Sequence, residues 1–146
     1  MAASAPFTFS DLKPAEPIQG WYDFLEDGKA FLKAATSAHA GQKRAFTPEI
    51  LYNIIAMAIE KFVMASLMRH GTMPYNHTMA DLVAAMEETF PDDLTDIRAG
   101  LLKLDKYQDI CDLEGFSIRP PKMKEIPAML VLAEKMQFLA TEKINA

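Results

Sequence analysis

The sequence is poor in most of the residue types from which reactive centres and stapled folds are built. A single cysteine, Cys111, excludes an internal disulfide and a thiolate zinc cluster. The three histidines, His39, His70 and His77, are scattered, and no helix carries a Glu-x-x-His pair. That argues against a metal site in general and a ferritin-like di-metal bundle in particular. Six glycines form no phosphate-cradling loop ending in Lys-Ser/Thr. Uncharged runs such as 50–59 fall short of the ~20 apolar residues of a membrane span. The opening "MAASAPFTFSDLKPAEPIQG" has no basic residue before Lys13 and no apolar run, so it does not read as a secretory signal. A cytoplasmic location is expected, with no cofactor, no metal and no membrane partner.

The net charge of −5 opposes non-specific attraction to nucleic acid, whose affinity comes mainly from cations on phosphate. Two basic loops, "GQKR" (41–44) and "IRPPKMK" (118–124), can lie together in the fold, while "EETFPDD" (87–93) is an acidic corner. All three read first as solvated loop ends.

What the chain has is apolar residues at helical spacing. Half of its 146 residues are hydrophobic and 24% are charged, the composition of one globular domain with a real core. Five segments show helical periodicity, and none shows a convincing strand alternation. Residues 1–20 read as an extended N-terminal arm and 21–146 as a single helical domain. In the first helix Trp21, Phe24, Leu25, Gly28, Phe31 and Leu32 recur at three- and four-residue steps, and Gly41 is placed to stop it near His39. The second has the clearest start: Thr47 as cap, Pro48 in the first position, Phe46 stapling onto Leu51. It runs to Arg69 or His70 and stops at Gly71. Only Glu49, Asn53 and Glu60 share a narrow polar sector, so this is the central helix, and part of its wide apolar surface is expected to face a second subunit. A third helix aligns Met79, Leu82, Val83, Met86 and Phe90. A fourth aligns Leu94, Ile97, Leu101 and Leu104, with Gly100 allowing a close approach. A fifth aligns Met129, Leu132, Met136 and Leu139, with Pro127 in its first turn.

Chemistry-bearing side chains concentrate in "SLMRHGTMPYNHTMADLV" (66–83). Each has a structural role available. Arg69 and His70 oppose the carbonyl end of the second helix, Thr78 and Asp81 match a capping box, and His77 can pack over Leu82. The functional reading starts from Arg69, which lies about 160° from Glu49, toward packed protein or an interface. Buried there, it needs a partner, either the carboxylate of Asp81 or a ligand phosphate, with Tyr75 and His77 beside it. Cys111 and Ser66 read as packing residues, and the ten methionines as core filler.

"NIIAMAIEKFVMASLMRHG" resembles the central helix of HEPN domains, and "NHTMADLVAAM" resembles the helix that follows it there. "LLKLDKYQDICDLEGFSI" and "EIPAMLVLAEKMQFLATEKI" are similar to the last two helices of that family. The resemblance spans residues 20–144. It implies an all-α, antiparallel four- to five-helix up-and-down bundle that dimerises. It also implies nucleotide binding, partnership with a nucleotidyltransferase-type protein, or toxin-like ribonuclease activity. The nuclease members place four to six residues between an Arg and a His, across a dimer interface. Here Arg44, Arg98 and Arg119 have no histidine at that distance, and Arg69 has His70 adjacent and His77 too far on. After Tyr107, where many members carry an Arg-Tyr pair, this chain reads "QDICD". The expectation is therefore a non-catalytic homodimeric binding module using Lys61, Arg69, Tyr75, His77 and Asp81. The alternatives are a divergent metal-independent ribonuclease with Arg69 and His77 as catalytic pair, or a dimeric scaffold without a ligand.

Overall fold

The computed structural model describes residues 16–107 and 119–146. Expectations for the first fifteen residues, Cys111 and the rest of 108–118 lie outside them. Among the described residues there are five α-helices and no strand: α1 (Trp21–Ala40), α2 (Pro48–Arg69), α3 (Met79–Thr89), α4 (Arg98–Lys103) and α5 (Ile126–Asn145). One turn of 3-10 helix follows α4 and another precedes α5.

The whole molecule is arranged around α2. Thr47 Oγ1 accepts the N–H of Ile50 at its start, and Pro48 fills the first turn, where no N–H is needed. At its end Gly71 turns left-handed at φ 77°, and Gly71 and Thr72 donate their N–H groups to Met68 and Leu67 carbonyls. Between these stops, thirteen of twenty-two residues are buried. By length and mean hydropathy (1.6) α2 is apolar enough to cross a membrane, a property that counting its uncharged runs did not reveal. That apolarity is spent mainly on the chain's own helices, which cover Ile55, Ile59, Phe62 and Leu67 completely. Ile50 and Met57 remain 42% exposed.

α1 packs antiparallel on α2, its start beside the end of α2. The approach is closest at Gly28, where a Cβ would stand 2.7 Å from the ring of Phe62. The helices beyond depart from an up-and-down order. His70, just past α2, donates from Nε2 to the carbonyl of Lys143 near the end of α5 (2.8 Å). Tyr52, near the start of α2, stacks with Tyr107, which bonds Glu125 at the entry to α5. Hence α5 runs alongside α2 in the same direction. So does α3, which begins near Glu60 and ends with Thr89 beside Thr72. The physical reason is that 71–78 doubles back along α2 instead of turning tightly, while α4 and the 3-10 turn after it bring Tyr107 to the entry of α5.

Three local readings also shift. Gly41 is right-handed (φ −80°), and the left-handed residue that ends α1 is Gln42 (φ 47°). Leu94 and Ile97 are buried as expected but lie in turns, so α4 is only six residues long. On α5, Met129 and Met136 are buried, Leu130, Ala133, Ala140 and Ile144 widen the core face, and Leu132 and Leu139 pack against it only partly buried. Gly100 does admit a neighbour: a Cβ there would meet a Leu132 methyl at 2.7 Å.

Gly28→Ala should lower stability by about 1–3 kcal/mol, the usual cost of overpacking a filled core, despite alanine's better helix propensity. Urea unfolding measures it. In a Phe62→Leu background the same substitution should cost less, because the ring it strikes has gone. An equal cost in both backgrounds would contradict the close approach.

Candidate functional site

The corner between α2 and α3 satisfies nearly every polar group that the sequence singled out. Thr78 Oγ1 accepts the N–H of Asp81 (3.1 Å) and donates its own hydrogen to Asp81 Oδ2 (2.7 Å). The two amides ahead of that one, Met79 and Ala80, donate to the carboxylate of Asp105 at 2.8 and 3.0 Å. A side chain from the far end of α4 thus already occupies the positive end of α3, where an anionic ligand would sit. Sequence reasoning missed Asp105, because a cap supplied 25 residues downstream leaves no local pattern.

His77, expected to pack over Leu82, is bonded to α2. Its Nδ1–H donates to Glu60 Oε1 at 2.7 Å. Arg69 is not paired with Asp81, whose carboxylate serves Thr78. Arg69 instead lies half-buried with its guanidinium carbon 5.8 Å from the centre of the Trp21 ring on α1. Nine residues separate Glu60 from Arg69, which places them about 180° apart around α2 and about 13.5 Å apart along it. Arg69 and His77 are therefore on opposite faces within one chain. Tyr75 is 94% exposed and joins neither.

Lys61 joins Arg69. Its Nζ lies 4.4 Å from the centre of the Phe24 ring, one turn along α1 from Trp21. The groove between α1 and α2 thus presents two cation–ring pairs about 12 Å apart along α2. Among the described residues neither cation has a carboxylate within 4 Å. Of the five residues expected to form one site, the structure brings together Lys61 and Arg69, sets His77 and Asp81 in the α2–α3 corner, and leaves Tyr75 in solvent.

A second polar cluster was not anticipated. Glu125 accepts from Tyr107 (2.6 Å), from Arg119 and from the backbone N–H of Lys122 (2.9 Å). These bonds, Tyr107's first, hold its carboxyl down at about 2. The same bond to Glu125 raises the Tyr107 phenol above its ordinary value. Tyr107 and Arg119 flank residues 108–118, so one carboxylate ties both ends of that segment. The bond from the Lys122 N–H is local, three residues back from Glu125; the other two partners lie farther off in the chain.

The remaining candidates resolve into packing. Ser66, fully buried, donates to the Phe62 carbonyl (2.9 Å), and Tyr52 donates to the Leu104 carbonyl (2.7 Å). Among the described residues no three His, Cys, Asp or Glu side chains gather as a metal site would require. No family model, curated protein or solved structure matches the chain.

A carboxyl held at about 2, against 4.5 when free, stabilises the fold above pH 4.5, and its contribution fades as the pH falls toward 2. Glu125→Gln should therefore be less stable than the native protein near neutrality, with the gap narrowing steadily below about pH 4.5. Urea unfolding of both proteins across that range reads it; a gap independent of pH would contradict the assignment.

Proposed function

We propose that this chain is a non-catalytic, HEPN-like binding module that acts as a homodimer and holds a nucleotide-like ligand in the α1–α2 groove. A nucleotidyltransferase-type protein is the partner that best suits such a module. The observation that carries this reading is the pair of cations, Arg69 over Trp21 and Lys61 over Phe24, with no carboxylate beside either among the described residues. Both keep their charge available to phosphate, and the planar guanidinium suits bidentate contact. The neighbouring indole and phenyl rings offer apolar surface to a base.

The homodimer rests on α2. Ile50 and Met57 stand one face apart from the buried core, with half-buried Ile54 between them. A second copy laid across this stripe would remove it from water. The ribonuclease alternative needs Arg69 and His77 at one phosphate. Their placement on opposite faces of α2, with His77 held by Glu60, counts against it.

Adding ATP or AMP at saturating concentration should raise the melting temperature of the native protein, since a ligand at 100 times its Kd adds about 2.7 kcal/mol. Lys61→Ala with Arg69→Ala should abolish the rise, and His77→Ala should leave it intact. If native and doubly substituted proteins melt alike with and without nucleotide, the scaffold reading replaces this one. Light scattering should give about twice 16.3 kDa; a clean 16.3 kDa species contradicts the homodimer.

A further inference from the structure

At the other end of α2, about 30 Å from Arg69 by helix rise, the two basic loops noted in the sequence meet. A cleft of about 430 Å³ opens there between the end of α1, the 41–47 loop, the start of α2 and Met123 in the turn that enters α5. Its floor is apolar: Leu51 is fully buried, Phe46 is half-buried, and Met123 is exposed. Its rim carries the cations Lys43 and Arg44, with His39 beside them. Among the described residues no carboxylate lines it, and Lys43 and Arg44 form no ion pair. Lys122 and Lys124 flank Met123 in the chain, and the positive end of α2 borders the same space through Thr47.

This is an uncommon grouping in a chain of net charge −5. A second cleft, between α5 and the turns that precede α4, shows the opposite balance, with Asp93, Asp96, Glu134 and Glu142 against the one lysine, Lys135, around Phe138. The loop that carries the cations is built rather than trailing. Gln42 turns left-handed, Lys43 donates its N–H to the Ala38 carbonyl (3.2 Å), and Phe46 donates to the Lys43 carbonyl (3.0 Å). Those bonds set Phe46 in the floor and leave the Lys43 and Arg44 side chains at the edge.

We infer that this cleft binds a small amphipathic carboxylate, with an aromatic or aliphatic body on Phe46, Leu51 and Met123 and its carboxylate against Lys43 and Arg44. The volume falls in the range of small-molecule sites, which are apolar pockets with a few convergent polar groups. Burial of the body provides affinity, and the cations select the anion and orient it. The inference does not depend on the α1–α2 groove, which uses neither loop.

The test follows the Met123 methyl signal by NMR in chloride buffer while 2-naphthoate, 2-naphthalenemethanol or inorganic phosphate is added. Naphthoate should shift the signal saturably, and at least about tenfold more tightly than either the neutral alcohol or phosphate. Lys43→Glu with Arg44→Glu, both exposed and free of packing roles, should weaken naphthoate at least about tenfold. Lys61→Ala with Arg69→Ala should leave it unchanged, which separates this site from the nucleotide reading. Equal binding of the alcohol would show a merely greasy crevice, and equal binding of phosphate a merely charged loop. Either result overturns the inference, as does the absence of a saturable shift at Met123 or indifference to the charge reversal.

Discussion

A helix that is apolar around most of its circumference must be wrapped, and the burial of α2 is the constraint from which the rest of this structure follows. Each fully covered side chain on it, Ile55, Ile59, Phe62 and Leu67 among them, is worth about 1.5–3 kcal/mol relative to exposure. No single neighbour reaches all sides. α1 covers one side, closely enough that Gly28 faces the Phe62 ring without a Cβ between them. α3 and α5 cover others by running alongside in the direction of α2 itself. That direction explains the connections. The 71–78 segment doubles back along α2, and α4 with the 3-10 turn after it brings the chain, at Tyr107, to where α5 begins.

The same wrapping decides where chemistry can occur. Polar groups at the ends of the packed helices are drawn into caps and cross-links: Asp105 and Thr78 at α3, Glu125 between Tyr107 and Arg119, His70 on the Lys143 carbonyl, and His77 on Glu60. A side chain already holding a structural partner must lose it before it can serve a ligand. What remains chemically available lies where a helix face meets the surface with its charge unneutralised. The α1–α2 groove has this quality at Lys61 and Arg69, and the cleft at the start of α2 has it at Lys43 and Arg44. In the readings proposed above both take anions, which is recognition rather than bond-breaking.

Much of the architecture was legible in the order of residues because it is local. Thr47, Pro48 and Gly71 bracket α2 by rules that act within one turn, and the narrow polar sector of Glu49, Asn53 and Glu60 marks part of its solvent-facing side. Gly41 caps the end of α1 where the sequence places it, but the left-handed turn that follows falls on Gln42, a residue with no such sequence signal. The direction of α3 and α5 was not legible, since periodicity reports a helix and its face but not its sense relative to another. The site was half legible. Arg69 stood out by its place on the apolar side of α2, yet its ring partner, Trp21, lies 48 residues earlier, and Asp105, which closes the α3 end to anions, lies 24 residues after Asp81. Such long-range pairings leave no spacing to read.

Amide hydrogen exchange under native conditions tests the central claim most directly, because it reports how each helix opens. If α2 is the wrapped rod on which the others depend, amides from Ile55 to Leu67 exchange last and only with global unfolding, at the free energy measured by denaturant. Exchange of those amides ahead of α1 and α5, through local opening at lower free energy, would contradict the account.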